Sequence, residues 1–190
     1  MDAGLAAVLG ALAGSVATIG AALATGWSAR EQGKLAARAE HLRQRRDARQ
    51  AIYEEFIAAV QAHSELTKFL QAPVPQDLDD LARLRILPEG KNLIWAAEES
   101  NSLYSNVRSL ATRVQLAGPQ EVSAAAYSVN VKCRQVSGVV EVLHIRADYP
   151  GGSLRERWTD GCTRFVRLSR LLEEFSEIAR QALDDDGTRK

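Results

Sequence analysis

Hydrophobic and polar positions divide the chain into one long uncharged run and a series of periodic apolar stripes. Residues 3–27 contain no charged side chain. A helix that crosses a hydrocarbon core of about 30 Å needs roughly 20 apolar residues, so this run is long enough to span a membrane. Seven basic residues follow it closely: Arg30, Lys34, Arg38, Arg43, Arg45, Arg46 and Arg49. Because basic flanks normally stay on the cytoplasmic side, the pattern predicts a transmembrane anchor over residues 1–27 with its N-terminus outside.

The composition of this run predicts that the anchor packs against another helix. Nine of its twenty-five residues are Ala and five are Gly. Leu, Ile and Val each gain only about 0.3 to 0.6 kcal/mol on insertion, so a segment this poor in them gains little from lipid alone. Gly10 and Gly14 form a G-x-x-x-G pair, which lets two helix backbones approach closely. We expect these two glycines to lie at a helix–helix contact in the membrane.

Three other interpretations of the uncharged run compete with an anchor. A signal peptide fits the cleavage-like sequence at residues 22–24 but lacks a positively charged region before the apolar run. A buried helix of a soluble protein is compatible with the many Ala residues. An interfacial helix would show a polar face, and none occurs before Ser28.

An apolar stripe continues from the basic flank and predicts one long first helix. The stripe has helical spacings of three and four residues and comprises Ile52, Phe56, Ala59, His63, Leu66 and Leu70. We expect a basic juxtamembrane helix over residues 28–50 that continues into a bundle domain over residues 51–183. Pro73 and Pro75 should end this helix near Gln71.

Three further helices are predicted before residue 150. A short helix is expected over residues 77–86, with Asp77 as its N-cap. The next helix is expected over residues 91–116, and Gly118-Pro119 should end it. A helix over residues 119–147 then carries a regular inner stripe of Val122, Ala126, Val129, Cys133, Val136, Val140 and Leu143.

The last helix should begin after the turn sequence of residues 150–152, with Ser153 as its N-cap. Residues 184–190 have the composition of a frayed polar tail. Long amphipathic segments joined by short connections each have one stripe to bury and should pack side by side. The sequence therefore predicts an all-α fold, in which a transmembrane helix continues into an antiparallel four-helix-type bundle.

Composition narrows the environment and the partners. The formal net charge is zero, so no overall field attracts nucleic acid. Cys133 and Cys162 are too few for a disulfide scaffold and suit a reducing compartment. The cysteines agree with a cytoplasmic C-terminal domain, and the uncharged run with its basic flank predicts a single-pass bacterial inner-membrane protein.

One pair of residues has the spacing of a metal site. Glu141 and His144 form a Glu-x-x-His step, as in di-iron helical bundles, but such a site needs a second step. Glu54, Glu98 and Glu99 fall largely off the apolar stripes. A surface or boundary position for Glu141 and His144 is therefore the simpler interpretation.

The remaining chemistry-bearing residues favour structural roles. His63 lies on an inner stripe, where a core histidine bonded to a neighbour is more common than a catalyst. Cys133 and Cys162 are expected to be buried, unpaired thiols. The common phosphate-binding, nucleophile-elbow and zinc motifs are missing from the sequence. We therefore expect no catalytic residues, no cofactor and no metal, and no small-molecule substrate is evident.

The basic flank offers a candidate contact with lipid. Arg30, Lys34 and Arg38 lie near one line of a helix and are close enough to the predicted span to reach anionic head groups. The alternative is a solvated flank that only sets topology. Glu31 and Glu40 interrupt the row and no aromatic residue interleaves it, which argues against nucleic-acid binding.

The chain resembles small bacterial proteins of actinobacterial type that have an N-terminal span and a helical domain. The residues that carry this resemblance are 45–49 (RRDAR), 53–57 (YEEFI) and 114–122 (VQLAGPQEV). No established activity attaches to that group, so the resemblance implies an architecture and not a chemistry.

These observations favour a membrane-anchored helical bundle that acts by protein–protein interaction or self-association and not by catalysis. The expected partners are the membrane and either further copies of the chain or another protein. Self-association is favoured, because the weakly apolar anchor and the exposed continuation of the first helix both gain from neighbours. The first alternative is an oligomeric membrane-acting effector or pore former, since Ala/Gly-rich helices can line a channel. The second is a bundle metal protein or enzyme that uses Glu141 and His144.

Overall fold

The computed structural model describes the backbone of residues 2–72, 92–147 and 154–188, and the side chains of residues 25–72, 92–145 and 154–185. All regular structure in these ranges is helical, which confirms the all-α prediction. Helix α1 continues directly into a 3-10 turn. The helices are α1 (Asp2–Thr67), the 3-10 turn (Lys68–Gln71), α2 (Leu93–Ala117), α3 (Gln120–Ala147) and α4 (Leu154–Thr188).

The chain divides into two compact units, residues 1–45 and residues 46–190. The first unit is formed by the N-terminal part of α1, and every described side chain in it is exposed. Within the described residues, no helix combines the length and the apolar character needed to cross a membrane. Most of the predicted anchor, with Gly10 and Gly14, lies outside the residues whose side chains are described.

Contacts in the second unit show that α2 is antiparallel to α1. Near the start of this unit, Arg49 Nε donates to the carbonyl oxygen of Ala117 at 2.9 Å. Further along α1, His63 Nε2 lies 3.3 Å from the hydroxyl of Ser100. A later residue of α1 therefore meets an earlier residue of α2.

Ring contacts give the direction of α4. Phe56 packs edge-to-face on Phe175 with 4.9 Å between ring centroids, and Phe69 packs on Trp158 at 5.8 Å. Helix α4 is therefore also antiparallel to α1. Because only Gly118 and Pro119 separate α2 from α3, the four helices alternate in direction along the chain. The antiparallel bundle predicted from the apolar stripes is confirmed for these residues.

The bundle core is built from the predicted stripes. On α3 each of the seven stripe residues is fully buried. Phe56 and Phe175 are also fully buried, and Tyr53 adds a second edge-to-face contact to Phe175 at 6.1 Å. Burial of apolar surface is the main favourable contribution to folding, so these stripes position every polar group described below.

Local signals set the two ends of α2. The side chain of Asn92 accepts a hydrogen bond from the backbone N–H of Trp95 at 3.0 Å, which makes it an N-cap. At the other end, the N–H of Gly118 bonds to the carbonyl of Val114 at 2.8 Å. A Cβ atom at Gly118 would stand 2.8 Å from the hydroxyl oxygen of Tyr53 and 3.0 Å from the carbonyl oxygen of Val114, so any larger residue would force these neighbours to shift.

The structure differs from the sequence interpretation at the end of α4. Residues 184–188 continue the helix instead of forming a frayed tail. Ala182 and Leu183 still pack against the core. The Asp184 carboxylate oxygen Oδ1 lies 3.4 Å from the Arg46 guanidinium nitrogen Nη2. Packing on the bundle thus extends the helix through an acidic sequence of low intrinsic propensity. The predicted helix over residues 77–86 and the predicted N-cap at Ser153 lie outside the described residues.

Candidate functional site

A cluster of three polar side chains lies at the centre of the bundle. We call His63, Ser100 and Ser137 the polar cluster; each comes from a different helix, and all three are buried. His63 Nε2 lies 2.8 Å from the hydroxyl of Ser137, and the two serine hydroxyls are 2.9 Å apart. The prediction of a buried His63 bonded to neighbours is confirmed.

Hydrogen bonding within the polar cluster is incomplete. Ser137 also donates to the backbone carbonyl of Ser100 at 3.4 Å, and Thr67 donates to the carbonyl of His63 at 2.9 Å. The other ring nitrogen of His63, Nδ1, has no hydrogen-bond partner among the described residues. A buried polar atom without a partner typically costs about 1 to 3 kcal/mol. The polar cluster therefore contributes more to the specific alignment of three helices than to the free energy of unfolding.

Burial also sets the protonation state of the imidazole. Desolvation lowers the pKa of His63 to about 4, so the ring is neutral near neutral pH. A histidine in contact with a serine hydroxyl has the atoms of a general base and a nucleophile. In this bundle, however, His63 and Ser100 have no exposed surface and Ser137 has almost none. Because a substrate cannot reach these atoms, we assign the polar cluster a structural role.

The two cysteines differ in environment and neither is paired. Cys133 is buried one helical turn before Ser137, and burial raises the pKa of its thiol to about 12. A thiol with so high a pKa is a poor nucleophile. Cys162 is half-buried, because Gly161 occupies the inward position beside it. The predicted burial is therefore confirmed for Cys133 and wrong for Cys162.

The residues considered for a metal site do not assemble one within the described ranges. Glu141 is exposed and His144 is half-buried near the end of α3. Glu54 is exposed on α1, where it accepts a hydrogen bond from Gln50 at 2.8 Å. No group of three His, Cys, Asp or Glu residues able to hold a metal occurs in the part of the chain that the structure describes.

The basic flank separates into two parts. The part nearest the predicted span is exposed and comprises Arg30, Lys34 and Arg38. Lys34 Nζ lies 3.8 Å from the Glu31 carboxylate oxygen Oε2. Arg49 instead donates to the C-terminal carbonyl of α2 and is partly buried. A cation at a helix C-terminus is favourable because the last carbonyl groups carry partial negative charge. Sequence periodicity placed Arg49 in the flank and did not indicate this contact.

An unusually exposed stretch of α1 precedes the bundle. All residues in the range 25–48, here called the exposed segment, are exposed. Trp27, Leu35 and Leu42 are 76, 56 and 48% exposed. With 3.6 residues per turn, these three apolar side chains fall within an arc of about 80°. The exposed segment therefore presents one strip of large apolar side chains on a helix whose other residues are charged, polar or small.

A groove between α3 and α4 was not indicated by the sequence interpretation. This groove, here called the arginine groove, has a volume of about 530 Å³. Three of the residues that line it are Arg134, Arg157 and Arg164. The only sequence signal is a helical spacing on α4, where Arg157, Asp160 and Arg164 share one face.

No known protein family, curated protein or solved structure matches this chain. The resemblance to small bacterial membrane-anchored proteins therefore stays a prediction.

Proposed function

We propose that this chain is a membrane-anchored helical-bundle protein that acts by protein–protein interaction, with the exposed segment of α1 as its interaction surface. The observation that carries this proposal is the apolar strip of Trp27, Leu35 and Leu42 on a helix with no buried residue over 24 positions. Exposed apolar side chains aligned on one side of a helix are typical of helix-in-groove or helix–helix recognition.

Helix formation in the exposed segment has local support. Ala, Arg, Glu, Gln and Lys dominate its sequence, and these are strong helix formers. Gln44 donates to Glu40 one turn earlier at 3.1 Å, and Lys34 is near Glu31. Such pairs each add a few tenths of a kcal/mol to a helix. A surface that is already helical loses less conformational entropy when it binds.

The charge of the exposed segment favours an acidic partner. The segment contains six basic and three acidic residues, which gives a net charge of +3. Two parallel copies anchored in one membrane would place like charges side by side, which is unfavourable. An amphipathic helix with acidic flanks would satisfy both the apolar strip and the surrounding arginines. Self-association is better assigned to Gly10 and Gly14, where uncharged small residues allow close approach.

The anchor remains part of the proposal. Its support is the uncharged run of residues 3–27 and the basic residues that all follow it. Trp27 would lie at the membrane–water boundary, where Trp is enriched. Cells expressing the full chain and a version beginning at Ser28 should be fractionated without detergent. Equal solubility of the two proteins would contradict the anchor.

The interaction surface can be tested by photo-cross-linking in cells. A photoreactive amino acid at Leu35 or Leu42 should give one discrete adduct, and charge reversal by Arg38→Glu should reduce it. The same probe at Leu116, which is 85% exposed on α2, is the matched control and should give no such adduct. Equal adducts at all three positions, or none at Leu35 and Leu42, would contradict the proposal.

The mass of the adduct separates the two kinds of partner. An adduct with another protein supports the assignment if the cross-linked segment of that protein is acidic, and a neutral or basic segment would contradict it. An adduct of twice the mass of the chain would show that copies associate along the exposed segment despite their charge, and the acidic-partner assignment would then be wrong. Permeability of liposomes containing the purified chain tests the pore-forming alternative separately.

A further inference from the structure

The arginine groove between α3 and α4 has the size and lining of a ligand site. Its volume of about 530 Å³ falls in the usual range of small-molecule sites. Helix α3 contributes Tyr127, Arg134 and Gly138, and helix α4 contributes Arg157 and Arg164. Guanidinium groups match phosphate oxygens in geometry and stay charged at all physiological pH values.

One arginine of the groove is held in place by an acid. Arg164 Nε donates to the Asp160 carboxylate at 2.8 Å, and both residues line the groove. This contact uses Nε, so the terminal amino groups of Arg164 stay available as donors. Arg134 and Arg157 make no ion pair with any described residue. Three guanidinium groups and one carboxylate give the groove a net charge of +2.

Gly138 supplies the open floor of the groove. It lies inside α3, where glycine is less favourable than alanine, yet a Cβ atom there would meet no atom within 4 Å. Packing therefore does not explain this glycine. Gly161 on α4 provides the contrast, because a Cβ atom there would approach Val139 Cγ1 to 2.9 Å. Close helix packing accounts for Gly161, whereas the absence of a side chain at Gly138 leaves room in the groove.

We infer that the arginine groove binds a small phosphate monoester that carries an apolar or aromatic body. A monoester has a charge of about −1.5 to −2 near neutral pH, which complements a net charge of +2. A polyphosphate would exceed that charge and would also meet the Asp160 carboxylate. The apolar part of the ligand would lie along the valine side chains of α3, within reach of the exposed ring of Tyr127.

Calorimetric titration of the full chain in detergent tests this inference, with AMP as the probe. AMP should bind saturably at one site per chain, and adenosine should bind at least about tenfold more weakly because charge-assisted hydrogen bonds to phosphate are lost. Raising the ionic strength should weaken AMP binding, since exposed charges are screened. Absence of saturable AMP binding, or equal binding of adenosine, would overturn the inference.

Substitutions in the groove test its position. Gly138→Leu adds a bulky side chain to the groove lining and should abolish AMP binding, whereas Gly138→Ala adds only a Cβ atom, which meets no atom within 4 Å, and should retain it. Combined Arg134→Gln and Arg157→Gln should weaken binding at least about tenfold. The control is Arg170→Gln on α4, because Arg170 is exposed outside the groove and pairs with Glu174.

Each result decides the question. Loss of AMP binding in the groove variants with retention in Gly138→Ala and Arg170→Gln supports the site. Equal weakening by Arg170→Gln would show non-specific charge attraction, and unchanged binding in Gly138→Leu would place the ligand elsewhere; either result overturns the inference. If Gly138→Leu fails to fold, the double arginine variant still decides, because it changes only side chains at the surface.

Discussion

Acidification should destabilise the bundle through His63. The pKa of this imidazole is lowered from 6.5 to about 4 in the folded state because burial disfavours the charged form. Below about pH 6.5 the unfolded chain therefore binds a proton that the folded chain does not bind. The contribution of His63 to the free energy of unfolding should be complete above about pH 6.5 and should decrease as the pH falls from 6.5 to 4. Below about pH 4 this group should cause no further loss.

The size of the effect follows from the shift in pKa. One pKa unit corresponds to about 1.4 kcal/mol, so a shift of this size predicts a loss of about 3 kcal/mol on full protonation. Domains of this size are stable by about 5 to 15 kcal/mol, so the loss would be a large part of the total. Among the described residues, the imidazole has hydrogen-bond contacts to the hydroxyls of Ser100 and Ser137, which carry no negative charge to stabilise a protonated ring.

Urea denaturation followed by tryptophan fluorescence measures this loss, because Trp158 is buried in the bundle. Unfolding free energies of the wild type and of His63→Gln should be compared at about pH 7, 5.5 and 4. Carboxylates also titrate in this window, but they are common to both proteins and cancel in the difference. His41→Gln is the matched control, because His41 is exposed on α1 and its replacement should leave the wild-type pH dependence unchanged.

The comparison has a clear refuting result. If His63→Gln loses as much stability as the wild type between pH 7 and pH 4, within about 0.5 kcal/mol, the buried imidazole does not control the acid response. A wild type that gains stability on acidification would show that the protonated ring finds a partner in the folded state. Either outcome would require a different description of the polar cluster.

Three further substitutions or reactions test the packing. Gly118→Ala should destabilise the bundle by about 1 to 3 kcal/mol in urea denaturation, since its Cβ atom would displace the hydroxyl of Tyr53; an unchanged midpoint would show that Tyr53 moves freely. Phe175→Ala should cost about 3 to 5 kcal/mol by the same assay, because its fully buried ring has aromatic contacts on two sides, and a loss below 1 kcal/mol would contradict that packing. A thiol reagent near pH 8 should modify Cys162 and spare Cys133 in the folded protein, as mass spectrometry can show; equal rates would contradict the burial of Cys133.

The helices and their inner faces could be predicted from the sequence because they depend on local periodicity. Apolar residues three and four positions apart can share a face only in a helix, so the stripes on α1 and α3 indicated both the helices and the core. His63 was predicted to be buried for the same reason. The break at Gly118-Pro119 located the turn between α2 and α3 to within two residues. In this chain the secondary structure and the inner faces are therefore properties of short stretches of sequence.

The partners of these residues were decided only by the tertiary structure. Ser137 stands four residues after Cys133 and three before Val140, a spacing that was a usable signal for burial. The contact of Ser137 and Ser100 with His63, however, depends on the axial register of three helices. Register arises from the summed fit of many side chains across the core, and no local pattern encodes it.

The same reason explains why Arg49 and the arginine groove were missed. Arg49 has the spacing of a flank residue, and it caps α2 only because α1 packs beside the C-terminus of that helix. Arg134 and Arg157 are exposed residues on different helices, and they line one groove because α3 and α4 are neighbours and Gly138 leaves the space between them open. The sequence by itself thus determined which residues form helices and face inward, whereas the docking of those helices decided which polar groups meet, because contacts between distant residues depend on how whole helix surfaces fit together.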